Sequence, residues 1–433
     1  MEAVLSVTSS APGKVILFGE HAVVYGISAV ACCLSDLRTE VSVNVKKNEN
    51  AEQGGVVCVQ LVDIVPGGVK LSVPLQALAE CDQECHRSAA NEYDPNPVGA
   101  VDNALKDRLD ALVECLVPEG TIRPAKEALT TALYLCAKVL LICGSAIDSS
   151  HPLYGTETAL VVQSKGLPIG AGLGSSAAFS VASTGALVSA RMILFAPSLN
   201  EAKDSESLIE NELIFESEEK TTLRGSFSDT VNKWAYVAEK IIHGTPSGLD
   251  NTISTYGGTL SFKKVNGSPT FQRLGDCPPL RILLTNTKVP RVTRQLVANV
   301  RKLREEDPDM VNGVFDEIQK VTDTFESSLK DDGLHNIVSK LFETNQQLLE
   351  TIGVSHPSLE TICNSSRKVG LSSKLTGAGG GGCAVTFLGV AGEDATPDLE
   401  SLKSELSTSH GYDCFESEIG GVGVKVSVSR GGN

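Results

Sequence analysis

A glycine-rich turn between an apolar strand and an apolar helix is the feature that most constrains the fold. The turn reads Pro-Ile-Gly-Ala-Gly-Leu-Gly-Ser-Ser-Ala-Ala over residues 168–178, after a predicted strand at Leu160–Gln163 and before a predicted helix at Ser175–Leu194. Alternate glycines let backbone N–H groups face inward without side-chain obstruction. The helix start adds unpaired N–H groups and the positive end of a dipole. The pattern therefore predicts an anion cradle suited to the phosphates of a nucleotide.

These residues alone leave other interpretations open. The stretch could be an ordinary turn in which a hydroxyl of Ser175 or Ser176 caps the helix, and one hydroxyl could instead reach a Mg²⁺ ion on the phosphates. It is not a Walker loop, because no Gly-Lys-Ser/Thr follows. A second glycine-rich stretch, residues 374–383, contains a formal G-x-G-x-x-G, but the strand predicted after it at Cys383–Leu388 argues against a dinucleotide site. It favours a backbone that closely approaches a ligand or another loop.

Net charge and cysteine usage limit the partners and the compartment. Lys and Arg number 37 against 53 Asp and Glu, a formal net charge of −16. Such a surface repels nucleic-acid phosphates and anionic lipid, so we expect neither nucleic acid nor a membrane as principal partner.

No apolar run reaches the roughly 18 residues that span a bilayer. The 12 scattered cysteines indicate reduced thiols, and a zinc site at Cys81, Cys85 and His86 lacks a second half. We predict a cytoplasmic protein.

Periodicity predicts an α+β protein that divides near Pro278-Pro279, with domains over residues 1–278 and 279–433. Short strands are expected at 4–7 and 15–18, broken by residues 9–13, and mainly helices from about 76 to 155. The remaining predicted elements are a helix at 229–243, a buried strand at 282–284, long charged helices at 293–329 and 334–352, a helix at 358–367, and a strand pair at 415–428 around Gly420-Gly421.

The stretch Ala11-Pro12-Gly13-Lys14, followed by Phe18-Gly19-Glu20-His21, supplies three candidate residues. Lys14 lies at the edge of a predicted buried strand, where a cation usually needs an anionic partner. A lone lysine there is more often a surface residue. Glu20 and His21 could simply be a solvated pair.

Two acidic residues complete the candidates. Glu239 lies at the margin of the apolar stripe of the predicted helix 229–243, from which a carboxylate can point into a cleft. Asp250 follows the tight turn Pro246–Leu249. The simpler interpretations are an exposed glutamate and a turn aspartate that bonds its own backbone. His243, four residues after Glu239, more often complements a helix dipole than binds metal.

Three motifs together resemble those of the GHMP small-molecule kinases, in the order and spacing of that family over nearly the whole chain. They are Pro12-Gly13-Lys14, the glycine-rich turn 168–177, and the Lys-Leu-Thr-Gly-Ala-Gly-Gly-Gly-Gly stretch 374–382. The resemblance implies a GHMP kinase fold, with an N-terminal domain like ribosomal protein S5 domain 2 and a C-terminal ferredoxin-like domain. The active site would lie between them.

Four longer blocks are similar to those members of the family that phosphorylate mevalonate: residues 19–26, 232–235, 243–251 and 284–293. The resemblance implies ATP- and Mg²⁺-dependent transfer of the γ-phosphoryl group to the hydroxyl of mevalonate. The product would be 5-phosphomevalonate, an early intermediate of isoprenoid and sterol biosynthesis. A homodimer and feedback inhibition by prenyl diphosphates at the phosphate cradle are also implied.

The resemblance assigns roles to matching residues. It implies that Ser176 and Glu239 hold Mg²⁺, and that Asp250 acts in catalysis with Lys14 beside it near the substrate hydroxyl. The residues implied to bind ATP phosphates are Lys14, Gly170, Ala171, Gly172, Leu173, Gly174, Ser175 and Ser176. Those implied to lie near the substrate are Glu20, His21, Arg291 and Thr293.

One region departs from the family pattern, because residues 46–155 are longer and more polar than expected; we assign no adenine contacts there. Two other functions stay open. The chain could be a catalytically inactive relative that serves as a sensor or scaffold. The intact set of Lys14, Ser176, Glu239 and Asp250 argues against this function. The chain could also be a kinase for another small alcohol or for a phosphorylated acid. The block around residues 286–291 argues against this second function.

Overall fold

The computed structural model describes residues 3–48, 54–64, 67–83, 100–141, 147–195, 225–265, 268–275, 277–290, 292–331, 333–392 and 398–430. Arg291, Cys85, His86 and the predicted turn at 93–97 lie outside these ranges. The ten cysteines within them are free thiols.

The first part of the chain forms strands and helices around one large apolar core. The strands are β1 Ala3–Phe18, β2 Ala29–Lys47, β3 Val56–Leu61, β4 Val69–Pro74 and β5 Thr156–Lys165, followed by the hairpin of β6 Thr259–Val265 and β7 Ser268–Arg273. The helices are α1 Leu75–Gln83, α2 Asn103–Leu116, α3 Arg123–Leu135, α4 Ser175–Leu194, α5 Gly225–His243 and α6 Leu249–Tyr256. Alternating valines of β2 and the apolar stripes of α1 to α5 fill this core.

The second part places a four-stranded antiparallel unit, in the order β11-β8-β10-β9, among four long helices, and adds a fifth strand that pairs with β1. Its strands are β8 Leu280–Asn286, β9 Ser373–Leu375, β10 Cys383–Val390, β11 Asp413–Ile419 and β12 Lys425–Arg430. Its helices are α7 Thr293–Glu306, α8 Pro308–Ser327, α9 Leu334–Thr351, α10 Pro357–Lys368 and the short α11 Leu399–Ser404. β8 pairs with β10 on one side and β11 on the other.

The two parts share one sheet, in the order β4-β3-β5-β2-β11-β8-β10-β9. The junction is the pair Ile419↔Leu34 between β11 and β2. β12 returns to pair with β1 along Leu5↔Arg430 to Ser10↔Lys425. The domain boundary near Pro278-Pro279 stays a prediction. If the chain divides there, β12 belongs to the second domain by sequence but packs with the strands of the first.

Two expectations about the strands are wrong. The break at residues 9–13 is absent from the described β1, because Ser9 pairs on one side with Val41 and on the other with Val426. Pro12 pairs with Arg38 and lies directly before a register shift against β2, an irregular position of the kind that tolerates proline in a strand. The strands around Gly420-Gly421 exist, but they pair with different neighbours rather than with each other.

The helix expected at 293–329 is two helices. Pro308 cannot donate a backbone hydrogen bond, and it takes the first position of α8. The Asp307 carboxylate accepts from the Met310 N–H at 3.1 Å and so caps the new helix. The helices predicted at Ser175–Leu194 and Leu334–Ile352 are confirmed to within a residue.

Helix α4 is long and apolar enough to cross a bilayer by length and composition alone. Its most apolar 18 residues are 83 % buried inside the protein. The helix packs against β1, β2 and α5. This is the environment of a core helix.

Candidate active site

A cavity of about 710 Å³ lies where the glycine-rich turn meets the end of β1, the start of α6 and the stretch after β9. The predicted residues that line it are Lys14, Glu20, His21, Gly170, Gly172, Gly174, Ser175, Ser176, Asp250 and Thr293. Ala171 and Leu173, between the glycines, have buried side chains in the apolar core. Only their backbone is therefore available to a ligand in the cavity.

The glycine-rich turn takes the conformation that its sequence predicts. Gly170, Gly172 and Gly174 have φ of 73°, 79° and 73°, a left-handed backbone that favours glycine. A capping serine is not found: Gly174 occupies the N-cap of α4, and no side chain caps the helix. The Ser175 hydroxyl instead accepts from the Gly170 N–H at 3.4 Å. The first N–H groups of α4 are thus left for an anion.

Lys14 crosses the end of this turn. Its N–H donates to the Leu173 carbonyl at 2.7 Å, and a Cβ on Gly174 would lie 2.9 Å from Lys14 Cγ. The Lys14 ammonium lies 3.5 Å from Asp250 Oδ2, with side chains 9 % and 35 % exposed. The interpretation of Lys14 as a surface lysine is wrong, because the side chain is buried and has an anionic partner.

Asp250 lies in the first turn of α6, after Gly248 at the N-cap with φ of 79°. A carboxylate is favoured there by the helix dipole. Two contacts fix this turn: the Ser254 hydroxyl donates to the Pro12 carbonyl at 2.5 Å, and the Asn251 amide donates to Asn232 Oδ1 at 2.6 Å. They hold Asp250 between β1 and α5, facing Lys14.

Glu239 lies beneath the cavity on α5, and its environment rules out an exposed glutamate. Its side chain is 4 % exposed. The Ser180 hydroxyl donates to Oε1 at 3.1 Å, and the Ser176 hydroxyl lies 3.4 Å from Oε2. Burial, and then the charge of Asp250, raises the pKa of Glu239 to about 7. Ser180 was missed by sequence reasoning, although its position one turn after Ser176 was the available signal.

His243 ends α5, as a residue that complements the dipole would, but it also touches the predicted metal ligands. Its Nε2 lies 2.9 Å from the Ser176 hydroxyl and 3.8 Å from Glu239 Oε2. The i,i+4 spacing from Glu239 was the sequence signal for this contact.

The pair of Ser176 and Glu239 offers one hydroxyl and one carboxylate to a metal ion. Hard oxygen donors of this kind fit Mg²⁺, which usually takes one or two carboxylates together with phosphate oxygens and water. Across the described ranges no cluster of three or more His, Cys, Asp or Glu side chains suggests another metal. The donor set therefore fits the implied Mg²⁺.

The opposite wall of the cavity comes from the ends of β1 and α7 and from residues 377–378. His21 Nε2 lies 2.8 Å from the Ala378 carbonyl, and burial lowers the pKa of His21. The Glu20 carboxylate is occupied by Lys374 and Asn345. Thr293 is exposed at the first position of α7. The predicted substrate residues thus line the cavity, except for Arg291, outside the described ranges.

The raised pKa of Glu239 predicts a pH dependence of stability. A carboxyl whose folded pKa lies above its unfolded value stabilises the protein at low pH and loses that contribution as pH rises to about 7. We expect the Tm of the ligand-free protein to fall between pH 4.5 and 7 by more than the Tm of Glu239→Gln does. Parallel Tm curves would contradict the burial of this charge.

Ser175→Ala and Ser176→Ala should differ. Ser176→Ala should raise the Mg²⁺ concentration for half-maximal rate and lower turnover, with little change in Tm, because its hydroxyl faces Glu239. Ser175→Ala loses a weak turn hydrogen bond, worth about 1 kcal/mol at most, and should spare the Mg²⁺ requirement. Equal Mg²⁺ requirements in the two variants would remove Ser176 from the metal site.

The C-terminal part matches the family model described as GHMP kinases C terminal, over residues 329–413. The chain is 36 % identical to the mevalonate kinase of Homo sapiens over 96 % of this chain and 94 % of that protein. It is 33 % identical to the mevalonate kinase of Arabidopsis thaliana, over 98 % and 100 %.

Solved structures show the same fold. One is the L. major mevalonate kinase in complex with R-mevalonate, with a TM-score of 0.59 and 21 % identity over 95 % of this chain and 94 % of that one. Another is the Methanococcus jannaschii mevalonate kinase, with a TM-score of 0.60 and 23 % identity over 95 % and 98 %. The GHMP kinase fold expected from the three motifs is confirmed.

Proposed function

The chain belongs to the mevalonate kinase family of GHMP kinases, and from this premise we propose how its cavity phosphorylates mevalonate. The enzyme transfers the γ-phosphoryl group of ATP to the hydroxyl of mevalonate and forms 5-phosphomevalonate. The observation that supports this most directly is the ion pair of Lys14 and Asp250 at the end of the glycine-rich turn, inside one cavity.

Phosphoryl transfer needs positioning and charge neutralisation more than covalent chemistry. The N–H groups of the glycine-rich turn and of the α4 start bind the phosphates. Asp250 accepts the proton of the substrate hydroxyl at a carboxylate oxygen, and Lys14 stabilises the developing alkoxide. Glu239 and Ser176 would hold a Mg²⁺ ion, which supplies neutralisation of charge on the phosphates when bound.

His21, Thr293 and Arg291 are proposed to contact mevalonate, and Glu20 lies on the same side of the cavity with its carboxylate held by Lys374 and Asn345. The substrate carboxylate needs cationic or N–H partners in a protein with a net charge of −16. Arg291 is the candidate of that kind from the sequence.

Side-by-side ADP-release assays with mevalonate, homoserine, galactose and phosphomevalonate test the substrate. We expect kcat/KM to be highest for mevalonate. Turnover of another alcohol above mevalonate would refute the proposal, and no turnover of any would favour a sensor or scaffold.

The partners and the compartment are also part of the proposal. We expect a homodimer, measured by light scattering, and inhibition by prenyl diphosphates that competes with ATP, because both ligands present phosphates to one cradle. We expect the enzyme in the cytoplasm, measured by cell fractionation. A monomer, a non-competitive pattern or a membrane fraction would contradict the respective part.

A further inference from the structure

A buried ion pair joins the end of β1 to the third glycine-rich stretch. The Lys374 ammonium contacts one carboxylate oxygen of Glu20, and the two side chains are 1 % and 0 % exposed. The Asn345 amide, also buried, donates to the other oxygen at 3.0 Å. Both oxygens of Glu20 are therefore engaged by the protein, although the residue lines the cavity.

Stability alone does not account for this pair. Burial raises the pKa of Glu20 and lowers that of Lys374, so it disfavours both charges. Replacing a buried ion pair by well-packed apolar residues is often neutral or stabilising, whereas removing one partner strands a charge. What the pair offers beyond apolar packing is a fixed geometry between two segments 354 residues apart.

The pair belongs to a row of contacts between residues 16–21 and 374–378, which we call the seam. On one side, Thr376 Oγ1 donates to the Ile16 carbonyl at 2.8 Å and accepts from its N–H at 3.2 Å. On the other, His21 Nε2 meets the Ala378 carbonyl at 2.8 Å. His21 has φ of 60°, a left-handed backbone that a non-glycine residue keeps only when its surroundings hold it.

The glycines after the seam bind other loops. The Gly380 N–H donates to the Val354 carbonyl at 2.9 Å, and the Gly382 N–H donates to the Val289 carbonyl at 3.2 Å. A Cβ on Gly381 would lie 2.8 Å from Val289 Cγ1. Close approach to other loops is therefore observed for these glycines, whereas Gly377 and Ala378, earlier in the same stretch, line the cavity.

We propose that the Glu20–Lys374 pair positions His21 and residues 377–378 for the acceptor alcohol, and that the Glu20 carboxylate does not itself bind substrate. Both residues are thus positioning residues. The inference rests on the proposed function, in that the acceptor is mevalonate.

The test compares Glu20→Gln, Lys374→Met and the double variant, with KM for each substrate, kcat and Tm. Each single variant strands a buried polar group and should lower Tm, and each should raise KM for mevalonate about tenfold by misplacing the wall, with KM for ATP little changed. The double variant should recover Tm but keep the raised KM for mevalonate. Lys320→Met removes the lysine of an exposed ion pair with Glu317 and is the matched control, which should change neither Tm nor the KM for mevalonate.

Three outcomes of the kinetic measurements would overturn the inference. A double variant with parental KM for mevalonate would make the pair purely structural. A raised KM in Glu20→Gln with a parental KM in Lys374→Met would mean that Glu20 binds the substrate directly. If Lys374→Met does not fold, Lys374→Arg keeps the charge but alters the geometry, and a parental KM there would also overturn it.

Hydrogen exchange over residues 16–21 and 374–382, measured without substrate, separates this inference from the proposed function. A parent that does not phosphorylate mevalonate refutes the proposed function. Unchanged exchange in the double variant means that the pair does not fix the seam, and it refutes the positioning role whatever the substrate. Faster exchange confined to these segments supports that role.

Discussion

Asp250→Asn is expected to lower kcat by about 10²–10⁴, the usual contribution of a positioned acid–base group. KM for ATP and for mevalonate should change little, because asparagine keeps the shape and hydrogen-bonding reach of the side chain. Tm should also stay close to the parent, since the turn is fixed by Ser254 and Asn251 rather than by Asp250 itself. The measurements are kcat, both KM values and Tm on one preparation.

Asp309→Asn is the matched control, because Asp309 is exposed in the first turn of α8 and keeps the same helix-dipole relation. Its activity should be parental. Near-parental turnover in folded Asp250→Asn would remove Asp250 from the mechanism, and a lower Tm with a small loss of turnover would indicate a structural aspartate. In a largely dissociative transfer the hydroxyl loses its proton late, so a proton acceptor contributes less to the rate. A loss of kcat at the low end of the expected range would therefore indicate that Asp250 acts mainly by its charge.

The parts of the site that sequence predicts are those in which a short segment determines its own conformation. The alternating glycines of residues 170–174 permit the left-handed backbone that the structure shows there, on which the predicted cradle depends. The burial of Glu239 against α4 and the contact of Lys14 with Asp250 come from tertiary packing between elements that are distant in the sequence. Local patterns therefore left simpler interpretations of each open, and only the motifs in combination identified them.

The same distinction between local pattern and tertiary packing separates the elements of the fold that sequence predicts from those it misses. Helices α4 and α9 are long and periodic, so their ends were predicted to within a residue. Strand β7 is exposed along its whole length and has no apolar alternation to detect. The pairing of β12 with β1 joins the two ends of the chain, which no local pattern encodes.

The second large effect is expected from Lys14→Met, which should lower kcat by about 10²–10³, the usual loss when one electrostatic stabiliser of the transition state is removed. KM for ATP should rise as well, because the Lys14 side chain crosses the end of the glycine-rich turn at Gly174, where we propose that the phosphates bind. Lys14→Arg keeps the charge but not the length, and we expect it to recover part of kcat.

The ion pair of 3.5 Å makes the combination with Asp250→Asn the decisive measurement. If Lys14 acts by stabilising the same alkoxide whose proton Asp250 accepts, the two groups work as a unit, and removing the second costs less than removing the first. We therefore expect the loss of kcat in Lys14→Met/Asp250→Asn to be smaller than the product of the two single losses. Multiplicative losses would mean that Lys14 acts on the phosphates independently of Asp250, and the proposed contact with the alkoxide would then be wrong.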